Sequence, residues 1–238
     1  MGSTVVLQDV WYRYPGGDWI LRGVNAEFIK GINLIVGSTG SGKTTILRIA
    51  AGTAVRIHGG ELRGSVEVGG KSVLIPQDFD YFILNLTVEE ELMYSLESSG
   101  VPVDVARREA KVLAENLGIS HLLDKRVSTL STGERQRVAI ASALALGAEI
   151  LLIDEPLAYQ DPIGARSIVE LLSRIDVDSV IVAEHKAHYF LETASRVYIT
   201  NHGKVVQVNA PWVSLEVSSW VEEKDDWWLK CLGGSSGM

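Results

Sequence analysis

The stretch Gly37-Ser38-Thr39-Gly40-Ser41-Gly42-Lys43-Thr44-Thr45 matches G-x-x-x-x-G-K-[ST], a spacing suited to holding a triphosphate. Glycines placed this way let successive backbone N–H groups turn toward one anion. Lys43 would set its ammonium against the β- and γ-phosphates, and the Thr44 hydroxyl would meet Mg²⁺. A second chemical group closes the apolar run Ile150-Leu151-Leu152-Ile153: the adjacent carboxylates Asp154 and Glu155. Asp154 suits the Mg²⁺ of a nucleotide, and Glu155 suits orienting or deprotonating an attacking water. A third is Leu130-Ser131-Thr132-Gly133-Glu134. Ser131 and Glu134 form a capping box that starts a helix, and a helix N-terminus with a glycine and two hydroxyls is also a second anion site. His185 follows the apolar run 180–183 and could donate to a γ-phosphate oxygen. A metal site at Glu184, His185 and His188 is disfavoured, because the spacing is not that of a zinc-protease helix and no cysteine or carboxylate cluster supports it.

These groups need a scaffold that brings loops to one edge. Residues 32–36 predict a buried strand and 46–51 the first turns of a helix, so the glycine-rich loop sits between strand and helix. The carboxylates end another apolar strand, and strand carboxyl ends are where open α/β sheets bind ligands. Residues 4–14 and 19–28 read as extended, with a turn at Pro15-Gly16-Gly17-Asp18 between them. Trp11, Tyr12 and Tyr14 lie before that turn; one of them could stack on a base, or all three could pack a strand. Residues 65–68 and 72–75 predict a hairpin turning on Gly69-Gly70 and ended by Pro76-Gln77. From Thr87 to about Leu123 the character is helical: Thr87 and Glu90 make a capping box, Gly100 and Pro102 stop the helix, and Ala106, Ala110, Leu113 and Leu117 recur on one face. A small helical subdomain, about 78–130, is expected as an insertion in the α/β core. Residues 196–200 and 204–208 predict a closing hairpin. Trp212, Trp220, Trp227 and Trp228 follow; Val213, Val217, Trp220 and Val221 would line one face of a short helix, and 233–238 is expected to be a disordered tail. The expected division is a domain over 1–212 and an extension over 213–238.

The chain has 238 residues, 46% of them hydrophobic, with a formal net charge of −8. That charge disfavours broad binding to nucleic acid. Cys231 is the single cysteine, so no intrachain disulfide is possible. No apolar run reaches the roughly 20 residues that span a bilayer, and no apolar block follows a basic start as in a signal peptide. A cytoplasmic protein is expected, free to dock on a membrane component.

Taken together, the motifs and their order resemble the ATP-binding cassette family of ATPases over about residues 4–210. Gly37 to Thr45 is similar to its Walker A loop, Ile150 to Glu155 to Walker B with the catalytic glutamate, and Leu130 to Val138 to the family signature. The resemblance assigns Gln77 to Mg²⁺ and the attacking water, Asp161 to the D-loop and the bound nucleotide, His185 to the switch histidine, and Tyr14 to stacking on adenine. It implies a P-loop α/β core with an antiparallel β subdomain and an inserted helical subdomain. ATP and Mg²⁺ would be held in a head-to-tail dimer of two ATPase protomers, identical or different. Ser131, Thr132 and Gly133 of one protomer would cap the γ-phosphate on the other. Thr132 departs from the family's usual glycine, and Tyr159-Gln160 is bulkier than usual. The implied function is the ATPase subunit of a membrane transporter, peripheral on the cytoplasmic face of the membrane and coupled to separate transmembrane permease subunits. Phe79 to Leu92 and the Glu184-His185 pair resemble the energy-coupling-factor and cobalt-import branch, and aromatics after Gln77 would line a groove for coupling helices. The alternatives are a soluble ATP-driven switch on DNA or ribosomes, whose coiled coils or tandem cassette are missing here, and a P-loop GTPase or small-molecule kinase. The signature and His185 argue against the latter, and no N-K-x-D occurs.

Overall fold

The computed structural model describes residues 5–208. The expectations placed on 209–238, including the helical face, the tail and the domain boundary near 212, lie outside the described residues.

Two sheets carry the chain. Strands β1 (Val5–Arg13), β2 (Leu21–Phe28) and β4 (Glu61–Val68) form an antiparallel three-stranded sheet in the order β2-β1-β4. The larger sheet adds β3 (Gly31–Val36), β5 (Ser72–Ile75), β6 (Ile150–Asp154), β7 (Ser179–Glu184), β8 (Ala194–Asn201) and β9 (Lys204–Val208) in the order β5-β6-β7-β3-β8-β9. Its pairs are parallel except β8 with β9. In the middle of such a sheet both strand faces are covered, so the sequence reads as an unbroken apolar run. β3 shows the consequence: Leu34 and Val36 face one core cluster, and Ile35 faces the other.

The first cluster lies under α3 (Val88–Ser98), α4 (Val103–Asn116), α5 (Thr132–Ala145) and α6 (Pro162–Arg174). The second joins the three-stranded sheet, α1 (Lys43–Ala50) and α2 (Thr53–His58) to the opposite face. Between β5 and β6 the only regular structure is helical. Both expected capping boxes are formed, at Thr87 with Glu90 and at Ser131 with Glu134.

The hairpin expected at Gly69-Gly70 is a correction: β4 pairs with β1, and β5 pairs in parallel with β6 in the other sheet. Burial decides this. In β5 Val73 and Ile75 pack on one core cluster and Leu74 on the other, so this edge strand is covered on both faces, as a parallel strand of the large sheet must be. β4 is largely solvent-facing. The two glycines therefore carry the chain from sheet to sheet. A second correction concerns the aromatics after Gln77. Tyr81 is 82% exposed, but Phe79 is buried and Phe82 packs against the core.

Candidate active site

The order of the large sheet sets the carboxyl ends of β5, β6, β7 and β3 side by side. Gln77 follows β5, Asp154 and Glu155 end β6, Glu184 and His185 end β7, and the 37–45 loop leaves β3. Register is tight there, with Val36 beside Glu184 and Asp154 beside Ala183. A crevice at adjacent parallel strand ends is the general ligand position of this sheet type.

The loop packs so closely that side chains are excluded at two points. A Cβ on Gly37 would sit 2.3 Å from the Thr200 carbonyl oxygen, and Gly42 has φ 107° with Leu21 Cδ2 2.8 Å from where its Cβ would stand. Ser38, Thr39 and Gly40 form the exposed tip, while Ser41, Lys43 and Thr45 are buried. Gly42 is the N-cap of α1 and supplies no side-chain cap; the first turn holds no acid. The positive end of that helix is thus open to an anion.

Lys43 Nζ donates to the carbonyls of Gly37 (2.8 Å) and Ser38 (3.1 Å) and lies 3.9 Å from Glu155. Burial pushes its pKa down, with the carboxylates of Glu155 and Asp154 opposing. The Thr44 hydroxyl donates to Asp154 Oδ2 at 2.7 Å. Asp154 Oδ1 is buried with no hydrogen-bond partner, and burial raises the Asp154 pKa. A partnerless buried carboxylate oxygen beside a threonine hydroxyl is an oxygen donor set that fits Mg²⁺.

Glu155 is joined by both neighbouring strands. Gln77 Nε2 donates to Glu155 Oε2 at 3.2 Å, and His185 Nδ1 lies 3.8 Å from the same oxygen. Glu155 itself has φ 47°, a left-handed backbone for a residue with a side chain. Such a conformation persists where the surroundings over-determine it and is common at functional sites.

Sequence reasoning missed what holds these loops. Glu184 is fully buried and accepts from the backbone N–H of Leu157 (3.0 Å), His185 (2.8 Å) and Lys186 (2.9 Å). One carboxylate therefore ties the loop after β6 to the loop after β7. A charged residue ending a run of apolar ones was the available signal. Gln136 Nε2 donates to the Pro156 carbonyl and its Oε1 accepts from Gln160 Nε2 at 2.6 Å, linking α5 to the same loop. Nothing local in the sequence points to that link.

The remaining expected residues sit elsewhere. Tyr14 is half-buried; its hydroxyl accepts from Arg48 of α1 at 2.8 Å and its ring meets His58 edge-on. Of the other two aromatics, Tyr12 is a packing residue, fully buried with its hydroxyl donating to Ala54 and Gly59 carbonyls. Trp11 packs edge-on against Trp19. Ser131, Thr132 and Gly133 begin α5, and the hydrogen bonds of Ser131 close within that turn on Glu134. The carboxylate of Asp161 caps α6 by accepting from Gly164 N at 2.7 Å. Among the described residues, these four make no hydrogen bond to the 37–45 loop.

Known proteins show which family this chain is similar to. The ABC transporter family model matches residues 21–158. A Streptomyces avermitilis protein described as an ABC transporter ATP-binding protein is 35% identical over 209 residues, covering 80% of this chain and 37% of that protein. The energy-coupling factor transporter ATP-binding protein EcfA1 of Thermotoga maritima is 34% identical over 210 residues, 83% of this chain and 78% of that one. The solved structure of CbiO1 from Clostridium perfringens, part of the ABC transporter complex CbiONQ, superposes with a TM-score of 0.76 at 25% identity, covering 85% and 86% of the two chains. The chain spans well under half the length of several curated relatives it matches. A family match over more than half the chain, and relatives above 30% identity across four fifths of it, give one conclusion: the chain belongs to the ABC transporter family, among its ATP-binding proteins.

Proposed function

We propose that this chain binds ATP with Mg²⁺ and hydrolyses it, energising a membrane transporter. The observation that carries the reading is the meeting, at one sheet edge, of the 37–45 loop, the Thr44–Asp154 pair and the Gln77–Glu155–His185 group. The backbone amides of the loop and Lys43 would hold the β- and γ-phosphates. Thr44 and Asp154, with Gln77, would hold Mg²⁺, whose charge offsets that developing on the phosphoryl oxygens when it is bound. Glu155, steadied by Gln77, would accept the proton of the attacking water, and His185 would donate to a γ-phosphate oxygen. Tyr14 would stack on the adenine.

The signature turn at Ser131, Thr132 and Gly133, and Asp161, would serve the nucleotide on a second ATPase protomer in a head-to-tail dimer. That the side-chain hydrogen bonds of Ser131 and Asp161 close within their own helix turns supports this. Transmembrane permease subunits would be separate chains at the cytoplasmic face of the membrane; among the described residues no helix is long and apolar enough to cross a bilayer. Similarity to EcfA1 and CbiO1 supports an energy-coupling-factor or cobalt-import type of assembly. The helical insertion over about 78–130 would be a subdomain of the ATPase.

Glu155→Gln tests the reading. ATP binding by calorimetry should be retained while steady-state hydrolysis falls about 10²- to 10⁴-fold, the range for loss of a general base. Undiminished hydrolysis would remove Glu155 from that role.

A further inference from the structure

Tyr14 follows the last residue of β1, where the sheet ladder no longer holds the backbone. Its carbonyl accepts from Gly17 N at 3.0 Å instead. The direction of its ring is set by side chains from three places. The Tyr12 ring stands edge-on to it with centroids 5.1 Å apart, and the His58 ring, at the end of α2, edge-on at 6.0 Å. The third is Arg48 of α1, whose Nη1 donates to the Tyr14 hydroxyl at 2.8 Å. The χ2 torsion of a tyrosine is broad, and a bond at the hydroxyl pins the end of the ring that the backbone does not.

The anchor is itself held. Arg48 is half-buried in the last turn of α1, and its carbonyl accepts from the Thr53 hydroxyl at 3.1 Å. Thr44, four residues earlier, lies on the same face of that helix, about 6 Å back along its axis, and donates to Asp154. The Arg48 charge also acts on Asp154, opposing the rise that burial causes in its pKa. One face of α1 therefore ties the aromatic at one end and the carboxylate of the cation site at the other.

We infer that Arg48 is a positioning residue for the base of the nucleotide. It holds the Tyr14 ring in the orientation on which a purine stacks, and through α1 it fixes that ring at a set distance from the 37–45 loop. A ring free to swing loses rotamer freedom when a base settles on it, whereas a ring already pinned does not, so more of the stacking appears as affinity. The inference rests on the reading that Tyr14 stacks on the adenine.

Titration calorimetry with ATP and with tripolyphosphate tests it on the full chain, with Mg²⁺ left out so that nothing turns over. The quantity read is the ratio of the two affinities. Losing the Arg48 charge weakens both ligands together and cancels in that ratio, and so does a general loss of structure. Tyr14→Phe keeps the ring and deletes the acceptor; Arg48→Met deletes the donor. Each should lower the ratio about two- to fourfold, less than Tyr14→Ala does. The double variant should fall no further than either single one, because both remove the same hydrogen bond. A ratio unchanged in Arg48→Met while Tyr14→Ala lowers it overturns the inference and leaves the stacking reading standing, and so do losses that multiply in the double variant. A ratio unchanged in Tyr14→Ala overturns both. Should Arg48→Met fail to fold, Tyr14→Phe alone decides, and an unchanged ratio there overturns the inference.

Discussion

Two helices in this molecule begin where an anion could sit, and they begin differently. α1 starts on Gly42, with no side chain capping its amides and no acid in its first turn. α5 starts on Ser131, whose hydroxyl accepts from Glu134 N, while the Glu134 carboxylate accepts from both Ser131 N and Ser131 Oγ. Those hydrogen bonds hold the Glu134 pKa below the usual carboxylate range. The first helix leaves its dipole and amides for a ligand; the second satisfies its own and sets a negative charge where an incoming anion would approach. A helix N-terminus is therefore not one kind of site. On the function proposed above, the α1 end would hold the triphosphate of its own chain, and the α5 end would add to a cage that another protomer supplies.

The largest effect that separates the two ends is expected from Lys43→Ala. ATP affinity should fall about 10- to 100-fold, the cost of one charge-assisted contact with the loop amides still present. Ser131→Ala should leave the affinity of the single chain unchanged; an equal loss by titration calorimetry would erase the contrast.

Next comes Asp154→Asn. Burial raises the Asp154 pKa, so the folded chain disfavours its charged form. The corresponding stability is present below the ordinary carboxylate pKa and is lost as pH rises through the raised value. At pH 7 the ligand-free Asn variant should melt higher, the gain shrinking as pH falls into the carboxylate range. The extra stabilisation that Mg²⁺ adds to ATP should vanish. A variant that melts lower at pH 7 and keeps the Mg²⁺ effect would contradict the cation assignment.

Glu134→Ala should remove half of the α5 capping box and lower the melting temperature by about 2–4 °C, from roughly 1 kcal/mol of lost capping. ATP affinity of the single chain should not move. The smallest effect is expected at Tyr14→Ala: ATP should weaken about 5- to 10-fold, matching roughly 1 kcal/mol of stacking, with tripolyphosphate unaffected. Equal weakening of both would place Tyr14 at the phosphates.

What could be read from the sequence was local in spacing. The 37–45 loop, the 154–155 pair and both capping boxes involve residues a few positions apart, and backbone geometry alone brings them together. The Gly69-Gly70 hairpin misled because a two-glycine turn is a local signal, whereas the sheet that β5 joins is set by burial on both its faces. The partner of the Glu184 carboxylate could not be read for the same reason: the tie depends on an amide from Leu157, which follows a different strand. Arg48 reaching the Tyr14 hydroxyl is likewise a meeting of distant segments.

The left-handed backbone at Glu155 has a consequence beyond chemistry. A glycine there would relieve about 1 kcal/mol of steric crowding while deleting the carboxylate. Harm to turnover and harm to folding thus carry opposite signs at this one position. If two copies work together, a cell making both sequences would accumulate the inert one at full abundance. Mixed pairs would then spoil more output than the share of faulty molecules, so inheritance of such a lesion would look dominant rather than recessive.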